Sequence, residues 1–282
     1  MNILTIILVL AFQKFFGSTT LEQPDQWIRH WQEWWNKHIS NPAVVLVLTI
    51  FVPPVVLFLL LQWLDSWLIT LFVDVLVLLY VMGRGHMRET LEACCEFNMQ
   101  EDHSVIVRHS IKCFDADLNP HESDLNTIFR QVRAALVDVT FYRFFAVLLW
   151  YMFFGAAGAL MVRLVLVFPE DSHNRVLLNG IKGAVFWVPA RVHSFFIALM
   201  GDFPATFPMV WRDTKKMDFS SDASVYDYVL TAMHEDPDHD REIDWSAKTD
   251  IERKQRLKAT LNLIERTRIA WLILAACWFL VF

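Results

Sequence analysis

Apolar residues come in long blocks along this chain, separated by stretches rich in charge. Six blocks stand out, at 3–16, 43–61, 67–82, 144–168, 185–200 and 269–282. A helix needs about 20 residues to cross ~30 Å of hydrocarbon. The blocks at 43–61, 144–168 and 185–200 meet that length comfortably, and the others are marginal. The pattern predicts an all-α, polytopic helical membrane protein with about five to six membrane helices and helical cytoplasmic loops. In the first block Lys14 follows the apolar run, the reverse of a secretory signal, so the block reads as an N-terminal anchor. Before the last block, Leu257, Leu261 and Ile264 recur at helical spacing, which predicts an amphipathic helix running on into the membrane.

The loops carry the charge. If all six blocks cross, 17–42, 83–143 and 201–268 share one side and hold 20 Lys and Arg, whereas 62–66 and 169–184 hold only Arg175 and Lys182. The excess of positive charge predicts that the three large loops are cytoplasmic and both termini periplasmic. The chain then reads as a single integral membrane domain over 1–282. A net charge of −6 with no basic face excludes nucleic acid as a partner. Cys94, Cys95, Cys113 and Cys277 have no CxxC spacing; the first three share one cytoplasmic loop and read as reduced thiols, and Cys277 lies in a membrane segment.

Within the loops, WIRHWQEWWNKH puts Trp27, Trp31, Trp34 and His38 at i, i+4, i+7 and i+11, one face of a helix, with Arg29, Glu33 and Lys37 turned to water. Two uses stand open for this face, plugging the end of the bundle and binding lipid. Ser123 ahead of Leu125, Ile128, Phe129, Val132 and Leu136 predicts a capped amphipathic helix that feeds the fourth span. HEDPDHDREID, from His234, reads as a solvated loop.

Charges inside the apolar blocks are the sharpest candidates. Counting 1.5 Å per residue from the outer ends of their spans, Asp74 lies ~10 Å deep, Arg163 ~8 Å and Arg191 ~9–12 Å. One layer for Asp74, Arg163 and Arg191 predicts an intramembrane charge cluster in which Asp74 pairs with one or both arginines. Two readings remain, an ion pair that packs helices and a positive excess that holds an anion or a lipid headgroup. Pro189 would present Arg191 from a bend, and Pro53-Pro54 would break the second span. Gly155, Gly158 and Ala159 form a small-residue face suited to close helix packing.

Other chemistry is weakly signalled. Arg84, Arg88, Arg130, Arg133 and Arg143 flank the membrane and could frame a cytoplasmic anion pocket or anchor to acidic lipid. His234, Glu235, Asp236, Asp238, His239 and Asp240 match no set metal-ligand spacing, and His86, Glu89, Glu92, Cys94 and Cys95 fit none better. No metal and no cofactor is expected. A Walker loop, GxGxxG, HExxH, SxxK or Ser-His-Asp order is absent, so no catalytic residue is assigned. No inverted repeat supports a transporter.

TIILVLAFQKFF, the Trp-rich first loop, YRFFAVLLWYMFFGAAGALMVRL at 142–164 and WVPARVHSFFIALMGDF at 187–203 together resemble the AmpE family of bacterial inner-membrane proteins. The resemblance implies a regulatory or signalling protein linked to cell-wall recycling and inducible β-lactamase expression. It also implies a cell-wall-recycling or signalling protein as partner, beside the lipid bilayer itself. The family is similar to the wider CobD/CbiB group, which includes an amide-forming enzyme of cobalamin synthesis; the shared parts are the Gly-x-x-Gly-Ala helix at 155–159 and Pro-Ala-Arg at 189–191. This chain departs from that enzyme at Asp138-Val139-Thr140-Phe141-Tyr142, where only a carboxylate and Thr140 remain of an acidic run. The alternative is therefore a CobD/CbiB-like enzyme with a changed, non-corrinoid substrate, an anionic or phosphorylated metabolite held at the cytoplasmic face. Asp138, Glu89 and Glu92 would serve it. Homo-oligomerisation stays open.

Overall fold

A computed structural model describes residues 2–16, 25–64, 66–82, 124–169, 174–214 and 223–281. Every element among them is helical: α1 (Asn2–Phe16), α2 (Gln26–His38), α3 (Pro42–Leu64), α4 (Trp67–Met82), α5 (Leu125–Thr140), a π-helical turn (Phe141–Phe145), α6 (Ala146–Val167), α7 (Arg175–Met200), α8 (Phe203–Thr214), α9 (Ala223–Ala232), α10 (Pro237–Glu242) and α11 (Asp250–Val281). Three stretches are long and apolar enough to cross a membrane: α3, the continuous run Leu125–Val167, and α7. They cover, but for residue 168, the three blocks whose length was comfortable in the sequence. The apolar helices at Leu4–Gln13 and Trp67–Met82 are shorter. The amphipathic stretch before 269 and the last apolar block are one 32-residue helix, α11.

One membrane domain was expected, and the chain divides into two compact units. The first comprises Met1–His86, Arg143–Pro189 and Ile273–Phe282. In it α3 and α4 both pack on α6, α1 on α4, and α2 on α3. Its surface stays apolar: Val55, Val56, Phe58, Leu59 and Leu60 of α3 and Leu68, Phe72 and Leu76 of α4 are all exposed. Only 28% of the most apolar stretch of α3 is buried, which is tolerable only where lipid covers the remainder. Pro53 and Pro54 do not break α3, which runs through both. Proline φ is already helical, and a span can absorb the missing N–H groups and the crowded carbonyls one turn earlier by local adjustment.

The second unit comprises Met87–Tyr142 and Ala190–Leu272. It has a hydrophobic core built from Leu125, Ile128, Phe129, Val132, Trp245 and Leu257. Asp124 caps α5, its carboxylate accepting the N–H groups of Asn126 and Thr127, while the expected cap residue Ser123 lies outside the described residues. A carboxylate at that place also complements the positive helix end, and its pKa is lowered by those bonds.

Candidate functional site

Asp74 is 4% exposed on α4, in the apolar first unit. Its Oδ2 accepts a hydrogen bond of 2.9 Å from the Tyr151 hydroxyl of α6. Tyr151 is bonded in turn to the Thr5 side chain of α1. The carboxylate also accepts the backbone N–H of Ala156. That donor is free because α6 breaks one residue earlier, where Gly155 has φ 59° and ψ −147°, a conformation open to glycine and strained for other residues. In an unbroken helix the Ala156 N–H would bond the Met152 carbonyl. Here that carbonyl accepts from the Trp278 indole of α11 at 3.3 Å. Both halves of the broken bond are thus satisfied by side chains. Asp74 sits at the new helix N-terminus, where negative charge is favoured.

Arg163 was expected beside Asp74. Instead its Nη2 bonds Asp25 at 2.5 Å. The other oxygen of Asp25 accepts from Tyr80 of α4 at 2.6 Å, and the Trp27 indole donates to Tyr80 at 3.0 Å. Asp25 precedes α2 but caps nothing, because its carboxylate is committed to these partners. The ends of α4 and α6 therefore lie together, and the two helices run parallel. The depth estimate failed here: strict alternation of crossings puts those ends on opposite faces.

The expected glycine face is also used differently. Gly155 supplies the positive φ. A Cβ on Gly158 would collide with the Trp150 carbonyl, eight positions earlier, so Gly158 makes room for the part of its own helix that precedes the break. Ala159 is fully buried.

Arg191 belongs to the second unit. Its Nη2 donates to the Asp213 carbonyl at 2.7 Å and its Nη1 to the Tyr228 hydroxyl at 3.3 Å. Tyr228 donates to the Asp213 carboxylate at 3.1 Å. Burial, with the Asp213 charge adding to it, pushes the Tyr228 hydroxyl up to about 12. Pro189 lies inside the continuous helix α7.

The second unit also holds a denser constellation. Arg133, fully buried on α5, forks onto both oxygens of Glu235 at 2.7 and 2.9 Å and reaches Asp240 at 3.3 Å. Its Nε donates to Thr260 at 2.9 Å, and its guanidinium carbon lies 5.9 Å from the Tyr226 ring centroid. Arg256 adds a second bond to Glu235 at 2.6 Å. Burial raises the Asp240 carboxyl above its ordinary value, and Arg133 offsets part of that.

The acidic run is thus no solvated loop. It includes α10, and Asp240 is 2% exposed, because the buried guanidinium of Arg133 requires carboxylates. The turn that delivers Glu235 is a Schellman motif: the N–H of Glu235 bonds the Leu230 carbonyl, that of His234 bonds Thr231, and His234 takes φ 61°. His234, His239, Lys248, Glu252 and Arg256 border a cavity of 730 Å³ beside this network.

Of the proposed anion-pocket arginines, Arg133 is filled by carboxylates and Arg130 donates to the Arg241 carbonyl at 2.8 Å. Arg143, half-buried, lies in the π-helical turn of the first unit. Arg84 and Arg88 lie outside the described residues, as do His86, Glu89, Glu92, Cys94, Cys95 and Cys113. Cys277 is an exposed free thiol. Among the described residues no group of three or more His, Cys, Asp and Glu could hold a metal ion.

Sequence reasoning missed Asp25, Tyr80 and Tyr151 in the first unit and Glu235 with Asp240 in the second. Asp25 was legible as a helix-start residue, but the bond to Arg163 spans 138 positions and leaves no local trace. The family model for the regulatory signalling modulator protein AmpE matches residues 1–237. No curated protein and no solved structure matches.

Proposed function

The chain belongs to the AmpE family, and from that premise we propose that it regulates inducible β-lactamase expression in response to cell-wall turnover. It does so from the bacterial inner membrane. The observation that carries the reading is the family match over residues 1–237, which spans the whole first unit except its last ten residues. The architecture supports it. A unit with an exposed apolar surface suited to lipid is joined in one chain to a second unit built around a buried charge network. Its partner would be a cell-wall-recycling or signalling protein.

A second reading, an enzyme of the wider CobD/CbiB group taking an anionic metabolite, draws on one feature, the polar cavity bordered by Lys248 and Arg256. Against it, Arg130, Arg133 and Arg256 are engaged by protein carbonyls and carboxylates.

The deciding experiment measures induced β-lactamase activity in the host bacterium with the gene deleted and then restored as wild type, Asp74→Asn or Arg191→Leu. Loss of induction on deletion, with rescue by wild type and failure of both variants, is expected. Unchanged induction in every strain overturns the regulatory reading and moves the enzyme to the front.

A further inference from the structure

An apolar groove of 770 Å³ runs between α2 and α3 in the first unit. Trp27, Trp31 and Trp34 form one wall, and Val52, Pro53 and Val56 the other. Trp31 and Trp34 stack in parallel with centroids 5.5 Å apart, so the wall is flat and stiff. The expectation for α2 placed Trp27, Trp31, Trp34 and His38 together on one face, and the structure leaves that face largely uncovered. Ile28 is the buried residue of α2, while Trp27 is 39% and Trp34 47% exposed. The helix docks on its Ile28 side and holds its indoles out along the groove.

We propose that this groove holds a phospholipid acyl chain drawn from the surrounding bilayer. Two observations select that occupant. The first is continuity with the lipid-covered surface. Val45, Leu46, Thr49 and Ile50 of α3 are buried, whereas Val55, Val56, Leu59 and Leu60 are exposed, and the groove opens where one regime gives way to the other. A chain leaving the bilayer along α3 enters it without crossing water.

The second is the chemistry of the walls. A bound peptide would bring backbone N–H and C=O groups that need partners. The Trp27 indole already donates to Tyr80, and the Trp31 nitrogen is buried. Among the described residues, the polar side chains that line the groove beside the indoles are Gln26 and His30, and His30 Nδ1 is bonded to the Gln26 carbonyl at 2.8 Å. An acyl chain needs no such partner. Arg29, exposed on the neighbouring face of α2, suits the headgroup of an acidic lipid. The proposal is independent of the regulatory reading and rests only on the lipid-covered surface of the first unit.

The test uses the full chain in vesicles of phosphatidylethanolamine and phosphatidylglycerol doped with a phospholipid that carries a diazirine on its acyl chain. Labelling is mapped by peptide mass spectrometry, and lipid retained after purification in mild detergent is counted by native mass spectrometry. Wild type is expected to label within residues 26–38 and 52–56 and to retain a lipid. Val56→Trp, a change at an exposed position that fills the groove, should lower retention several-fold, whereas Leu60→Trp, one turn further along α3, should leave it unchanged. Equal retention in Val56→Trp and wild type overturns the proposal, as does labelling confined to α4. A cross-link from α2 to a second copy of the chain would also overturn it by naming a different occupant. The vesicle labelling of wild type decides the matter even if the variant fails to fold.

Discussion

Arg163 and Arg133 are both almost fully removed from solvent, and the two units of the molecule treat them differently. In the first unit Arg163 has one carboxylate, Asp25, which is itself a quarter exposed and shared with Tyr80. In the second Arg133 has two carboxylates, a hydroxyl and an aromatic face, with Asp240 2% exposed and Glu235 held by a second arginine. A buried charge is tolerated in proportion to how completely its partners replace water. The first unit places its arginine where water or headgroups can still assist, and the second closes a self-sufficient network in its interior. Asp74 extends the contrast, since it is held by a hydroxyl and a backbone N–H that a broken helix releases.

Removing one member of each cluster breaks the comparison open. Arg133→Met strands Glu235 and Asp240 and should cost about 3–5 kcal/mol of folding stability, read as a fall in the unfolding midpoint in detergent. Part of that should return in Arg133→Met/Glu235→Gln. Arg163→Met leaves only Asp25, still bonded by Tyr80, and should cost about 1.5–3 kcal/mol, the value of one charge-assisted bond. Equal losses would mean that the two clusters are equally closed.

A smaller effect is expected at the helix break. Gly155→Ala places a Cβ at φ 59° and should cost about 1–3 kcal/mol, whereas a stabilised variant would show that α6 can straighten. Smaller still is an alkaline limb. The Tyr228 hydroxyl is raised from 10.0 to about 12. Its contribution to stability is therefore fully present below pH 10 and is lost as pH rises through 12. Tyr228→Phe should flatten the pH dependence of the unfolding midpoint over that window, and at neutral pH should lower the midpoint, because the Asp213 carboxylate and the Arg191 guanidinium each lose a partner.

The sequence carried the helices well and their partners poorly. Length and hydropathy alone singled out the blocks within α3, α6 and α7, because crossing a bilayer is a local demand on composition. Leu125, Ile128, Phe129 and Val132 were readable as a buried face for the same reason, since the helical period is local. Gly155 and Gly158 were flagged, yet whether a small residue serves a neighbouring helix or a break in its own depends on φ, which composition does not encode. The buried charges were recognised as needing partners, but depth along a span assumes strict alternation, and the parallel pair α4 and α6 violates it. HEDPDHDREID looked solvated because an acidic run normally is; only the distant Arg133 turns it inward.

The break at Gly155 also ties the membrane unit to the order in which the chain is made. While residues 146–167 are being inserted, the Met152 carbonyl can be satisfied by an ordinary helical bond to Ala156, and α6 can enter the bilayer straight. Breaking that bond is supportable only once Asp74 takes the N–H and Trp278 takes the carbonyl. Trp278 lies far beyond the end of α6 at Val167 and leaves the ribosome well after that helix. The finished shape of α6 therefore waits until Trp278 has been made, and a chain halted before residue 278 would keep its sixth helix in a conformation that the mature protein does not use.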